Sequence, residues 1–154
     1  MYIDPHVHLR DFNQKHKETI KHGLEVARDS GLDAVFDMPN TNPPLMTREL
    51  VQQRLKLARD ANIPEVFYGL YMGLTSDPEQ VKRAVDIYKE FFPKVVGFKL
   101  YAGHSVGNLG IIKVEDQAKI YEILSNQGYN GLLAIHAEKE SELDHSVWSH
   151  NNPV

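Results

Sequence analysis

Val95-Val96-Gly97-Phe98-Lys99-Leu100-Tyr101 is an apolar run broken by a single lysine. Past a glycine-rich stretch, an amphipathic segment runs from Val114 to Gln127 and stops at Gly128. A short apolar run followed by a longer segment of helical period reads as a strand feeding a helix. The same unit recurs on both sides of this one. Tyr2 to Leu9 precedes a helix expected from Lys17 to Ser30, with Ile20, Leu24, Val26 and Ala27 as its inner face and Gly31 as its stop. Ala34 to Met38 is closed by Pro39 and precedes a helix that Thr47 caps and that ends near Asn62. Glu65 to Met72 precedes a helix opened by Ser76-Asp77-Pro78-Glu79 and reaching Phe92. Gly131 to Ala137 is the fifth run.

The runs begin near positions 2, 34, 65, 95 and 131. That spacing suits a parallel strand pair joined by a crossover helix. Apolar strands throughout imply that both sheet faces are covered. An open doubly wound sheet and a closed (β/α)8 barrel both satisfy this pattern. The first turn lacks the GxGxxG of a dinucleotide fold, and polar residues gather at the C-terminal ends of several strands, where barrel enzymes place their chemistry. The expected fold is therefore the parallel (β/α)8, TIM-type barrel. Five βα units do not close one, since a barrel takes about 250 residues. Residues 1–154 thus read as the N-terminal part of one barrel domain, with the later strands outside this sequence. The alternative is a complete five-stranded open α/β domain.

Composition narrows the function classes. With 42% hydrophobic and 25% charged residues the chain has the make-up of a soluble globular domain. A net charge of -4 gives no reason to expect nucleic acid or an anionic membrane as partner. No apolar run approaches the ~20 residues of a membrane span, and the start lacks the features of a secretory signal. The chain has no cysteine, which fits a cytoplasmic protein and leaves a transition metal only His, Asp, Glu or a modified Lys as ligands.

Eight histidines make such a site worth seeking. In Asp4-Pro5-His6-Val7-His8-Leu9-Arg10-Asp11, strand alternation puts His6 and His8 on one side, where both imidazoles can reach one metal ion. Asp4 shares that side and can support them. An isolated HxH is more often two unrelated histidines on a solvated strand; its place at the end of the first strand of a βα series argues for the ligand reading. Lys99 interrupts an apolar strand. Burial of a lone ammonium is costly and lowers its pKa, and a neutral amine can add carbon dioxide to become an anionic carbamate. Taken alone, a strand-end lysine that reaches out to water is the simpler reading. His136 ends the fifth run, where an ordinary hydrogen-bonded core histidine is the commoner case, and Glu138 shares its face. Asn40, in Asp37-Met38-Pro39-Asn40-Thr41, offers an amide at the same rim, though Pro and Asn also suit a plain turn. His104 lies in a glycine-rich loop whose glycines flexibility would explain. His16 and His22 should face solvent, and His145 and His150 receive no role.

Together, the HxHxRD of strand one, DMPNT of strand two, GFKLY of strand four and IHAE of strand five resemble the dihydroorotases of the amidohydrolase superfamily, from Asp4 to about Glu138. HxH alone marks only the superfamily; HxHxRD with DMPNT favours dihydroorotase over hydantoinase or allantoinase. The resemblance implies two divalent metal ions, usually zinc. His6 and His8 match ligands of one ion, Lys99 the carboxylated lysine bridging both, and His136 a ligand of the second. Arg10 and Asn40 match residues that bind the substrate's free carboxylate. A strand-six histidine and a strand-eight aspartate that shuttles the proton have no counterpart in this sequence, so the chain alone is expected to be inactive.

The implied reaction is reversible cyclisation of N-carbamoyl-L-aspartate to dihydroorotate in pyrimidine synthesis, with a metal-bridging hydroxide attacking the cyclic amide in the hydrolytic direction. The expected partner is this small-molecule substrate, together with a second copy of the chain in a homo-oligomer and an aspartate carbamoyltransferase. Two rivals stand beside it: another cyclic amidase, such as a hydantoinase or allantoinase, and a non-catalytic scaffold of the same fold.

Overall fold

A computed structural model describes residues 1–106 and 108–144. His145 and His150 lie outside the described residues. Five strands, β1 (Ile3–Val7), β2 (Ala34–Asp37), β3 (Phe67–Gly73), β4 (Val95–Ala102) and β5 (Leu132–Ala137), alternate with four helices, α1 (Ile20–Asp29), α2 (Arg48–Ala61), α3 (Pro78–Phe91) and α4 (Val114–Asn126).

The strands form one sheet in the order β1-β2-β3-β4-β5, and every neighbouring pair is parallel. A doubly wound sheet reverses its strand order and carries helices on both faces. Here the order never reverses, and crossovers of one hand place every helix on the same side. The result is half of a (β/α)8 barrel, as the repeat predicts. The helices and the outer sheet face share one core. It joins Ile20 and Leu24 of α1, Val51 and Leu55 of α2, Leu70 of β3, Val85 of α3, Leu100 of β4 and Leu124 of α4. The concave face carries Phe36, edge-on to both Phe67 and Tyr71 at ring separations of 6.5 and 6.3 Å. Gly69 makes room there, because a Cβ at this position would lie 2.5 Å from Val96 Cγ1.

Local signals set the helix ends. Thr47 accepts from Leu50 N, and Asn62 closes α2 in the left-handed conformation at φ 56°. Asp77 caps α3 with Pro78 in the first turn. The first helix departs from expectation. It starts at Ile20, capped by Thr19, rather than at Lys17. The preceding residues are committed elsewhere: Phe12–Gln14 form a 3-10 turn, and Asp11 binds Glu18 O through its N–H and Ile20 N through its carboxylate. Val26 is 50% exposed and does not belong to the inner face, which is Ile20, Leu24 and Ala27. β1 and β3 are also shorter than their apolar runs, so His8 and Arg10 follow the end of β1. Among the described residues no helix is long and apolar enough to cross a membrane.

This packing makes a contrast between two aliphatic positions. Leu70 is 0% exposed and belongs to this core. Leu70→Ala is expected to lower stability by about 2–5 kcal/mol in denaturant unfolding, whereas Val26→Ala should stay within about 0.5 kcal/mol.

Candidate metal centre

The C-terminal rim of the half-barrel is built by main-chain hydrogen bonds that tie each strand end to the next. Met38 N donates to Val7 O at 2.9 Å, holding the end of β2 against β1. Leu45 N and Thr41 N both donate to Pro39 O at 2.9 Å, and Thr41 Oγ1 donates to Pro43 O at 2.7 Å, which compacts the loop carrying Asn40. On the other side, Tyr101 and His136 are paired residues of β4 and β5, and Lys99 pairs with Ala134 and Gly73. After β4 the chain returns upon itself: Ile111 N donates to Tyr101 O at 2.8 Å, and Leu109 is fully buried. A Cβ on Gly110 would lie 2.8 Å from Gly103 O, so this glycine serves a close main-chain approach rather than flexibility.

His6 and His8 do face the same side, with ring centroids 5.2 Å apart. His8 Nδ1 donates to Asn40 Oδ1 at 2.9 Å. That bond places the hydrogen on Nδ1 and leaves the Nε2 lone pair for a cation. Burial holds the His6 imidazole below its ordinary value, helped by the nearby Lys99 charge, opposed by Asp4, and helped again by His136. Burial also lowers His8, with Arg10, His6 and Lys99 acting in the same direction against the Asn40 bond. Both imidazoles are thereby biased to the neutral form that binds metal. Asp4 supports the strand rather than a ring: its Oδ1 accepts His6 N at 3.0 Å.

Lys99 is 3% exposed, and burial lowers its pKa. Its Nζ lies 5.1 Å from the centre of the Tyr101 ring, and among the described residues no carboxylate pairs with it. The simpler reading of the strand alone, a lysine that reaches out to water, is therefore corrected: the side chain is buried among its neighbours. His136 is half-exposed, 6.2 Å from the Tyr101 ring, with Nε2 held at 2.8 Å by Glu138 Oε1. Arg10 Nη1 donates to Asn40 O at 2.7 Å, so the guanidinium and the amide occupy one corner of the rim.

Among the described residues, no three His, Cys, Asp or Glu side chains gather closely enough to hold a metal ion. A metal ion held by the His6–His8 pair would need a ligand of another kind. Lys99 acts on both imidazoles electrostatically and sits in the cluster as a basic group without a counter-anion. Neutral imidazole nitrogens beside an amine depressed toward neutrality form a donor set that fits divalent ions once the amine carries a carboxyl group. His104 stands apart, 69% exposed and 3.3 Å from Glu140 Oε1. His16 and His22 are exposed, the latter bound to Glu18 at 2.9 Å.

Sequence reasoning missed a buried group beneath this rim. Arg54 of α2 is 0% exposed and donates to Leu9 O, to Arg10 O at 2.8 Å and to Asp37 Oδ2. Asp37 also accepts Leu9 N at 2.9 Å and the Tyr68 hydroxyl at 2.7 Å. Burial pushes the Asp37 carboxyl up, against the pull of Arg54, the Tyr68 hydroxyl and Leu9 N–H. The one available signal was position: Arg54 falls on the Val51–Leu55 stripe that α2 buries. A cavity of 630 Å³ lined by Asp33, Arg59, Glu65 and Lys94 opens at the other end of the strands, away from this rim.

No family model matches the chain. The dihydroorotase of Pyrococcus abyssi is 42% identical over 95 residues, 62% of this chain and 22% of that protein. The dihydroorotase of Methanosarcina mazei is 32% identical over 138 residues, 90% of this chain and 28% of that protein. Among solved structures, an L-hydantoinase (dihydropyrimidinase) from Arthrobacter aurescens superposes with a TM-score of 0.74 at 24% identity, covering 91% of this chain and 30% of that one. At that identity the likeness is one of fold. The chain spans about a quarter of the length of the curated relatives it matches.

The electrostatics of the cluster can be read by NMR titration of the metal-free protein. Both His6 and His8 should titrate below 6.5, and Lys99→Met should move His6 upward by removing a neighbouring charge. These depressed imidazoles bind protons less readily in the folded than in the unfolded chain. Stability of the metal-free form should therefore rise with pH up to about 6.5 and level off above it. An unmoved His6 in the Lys99 variant would show that the two groups do not share a site.

Proposed function

We propose that the chain is part of a dihydroorotase of the amidohydrolase superfamily, as its likeness to curated dihydroorotases supports, and that the whole protein interconverts N-carbamoyl-L-aspartate and dihydroorotate through a metal centre that His6, His8, Lys99 and His136 help to build. The supporting observation is the convergence of His6, His8 and the buried Lys99 on one rim, with Arg10 and Asn40 at its corner. Two divalent ions, zinc by the resemblance, would supply Lewis acidity and an acidified water when bound.

The chain's own residues prepare that chemistry. His8 presents Nε2 because Asn40 holds its other nitrogen. Lys99, driven toward its neutral amine by burial, is poised to take up carbon dioxide and lose a proton. The carbamate so formed would bring two oxygens and a negative charge into a cluster otherwise dominated by basic groups. His136 would hold a metal ion only by exchanging its contact with Glu138 for the ion. Arg10 uses one Nη in the bond to Asn40 O and keeps other N–H groups for a substrate carboxylate. Asn40 spends its oxygen on His8 and keeps its NH2 group for the same carboxylate. The strand-six histidine and the proton-shuttling strand-eight aspartate that the resemblance implies have no counterpart in this sequence. The setting is pyrimidine synthesis in the cytoplasm, by a homo-oligomer able to associate with an aspartate carbamoyltransferase.

The complete protein should bind two divalent ions per protomer and turn over both substrates in a coupled absorbance assay. Arg10→Ala should weaken acidic substrates by about 2–3 kcal/mol, the value of a charge-assisted hydrogen bond, with little effect on uncharged cyclic amides. Equal activity of that variant on hydantoins and dihydroorotate would assign the protein to the hydantoinase-like amidases. No turnover with metal fully loaded would leave the scaffold reading.

A further inference from the structure

The residue that holds Arg10 in place comes from outside the rim. Arg10 is followed by two residues at positive φ, Asp11 at 42° and Phe12 at 48°. Neither is glycine, so the chain leaves Arg10 through a turn that must be held by its surroundings. The Arg54 guanidinium supplies that hold from α2. It donates to the carbonyls of Leu9 and Arg10, the two peptides leading into the turn, and lies 5.3 Å from the centre of the Phe12 ring within it. Its own charge is anchored by Asp37, which the Tyr68 hydroxyl and Leu9 N–H hold in turn. A planar fork with five N–H donors can serve two carbonyls and a carboxylate at once; an ammonium cannot match that geometry.

We propose that Arg54 is a positioning residue for substrate-carboxylate recognition, acting through the main chain of Arg10. This rests on the dihydroorotase reading, because it takes the Arg10 side chain as the group that meets the carboxylate. Arg54 itself is fully buried and does not touch substrate. The inference assigns the Asp37–Tyr68–Arg54 group a role in substrate affinity, beyond holding α2 against the sheet.

The test is steady-state kinetics of the complete, metal-loaded protein, with metal content measured on each variant. Arg54→Met should raise KM for carbamoyl aspartate by ~10-fold or more, with kcat changed less than ~3-fold and metal content as in the parent. Arg54→Lys keeps the charge but loses the fork, and should recover stability without recovering KM. Tyr68→Phe removes one bond from the anchor and should raise KM by ~3-fold; it serves as the readout if Arg54→Met does not fold. In an Arg10→Gln background neither Arg54→Met nor Tyr68→Phe should raise KM further. Multiplicative effects in that background, restoration of KM by lysine, or a fall in kcat and metal content at unchanged KM would each overturn the proposal. Absence of turnover in the unsubstituted protein would overturn the dihydroorotase reading and this inference with it. An active parent with additive variants overturns the inference alone.

Discussion

The Asp37 carboxylate, 1% exposed at the end of β2, is where three separate parts of the chain meet. It accepts a backbone N–H from the segment after β1, a hydroxyl from β3 and a guanidinium from α2. A carboxylate buried to this depth is costly to ionise unless each oxygen is satisfied and a countercharge lies against it. Both conditions are met, so these segments have little freedom to shift relative to one another. The positions of Leu9 and Arg10 follow from that, and Leu9 and Arg10 directly continue the residues that bear His6 and His8.

The rim above is the reverse case. His6, His8, Lys99 and Arg10 crowd together with little negative charge among them, and the imidazoles respond by favouring their neutral forms. Such an arrangement is unfavourable in a purely structural site and useful in one that binds cations through neutral nitrogens and a modified lysine. The contrast between a compensated pair below and an uncompensated cluster above separates the group that holds the scaffold from the groups available for chemistry.

The cluster also depends on curvature. His6 lies on β1 and Lys99 on β4, with two strands between them, yet their charges influence one another. In a flat sheet, strands roughly 5 Å apart would put these positions about 15 Å from each other. Bending toward the concave face shortens that distance, and Phe36, Tyr71 and Gly69 accommodate the bend by fitting large side chains beside an absent one.

The amino-acid order alone determined the alternation of strand and helix, because apolar period and capping residues are local properties: Thr47, Asp77 and Pro78 act within one turn of where they stand. It also determined that His6 and His8 share a face, since that follows from strand pleat. The start of α1 at Ile20 was not legible, because Asp11 and Glu18 bind each other across a turn that no period reveals. Nor was Arg54, which reads as one more charged residue on a helix until Val51 and Leu55 are seen buried beside it. The burial of Lys99, the use of Asn40 to orient His8 and the grip of Arg54 on Arg10 were decided only by the folded chain. Each depends on groups from different βα units brought together by the closing sheet, and hydrogen bonds and desolvation act through space, not along the sequence.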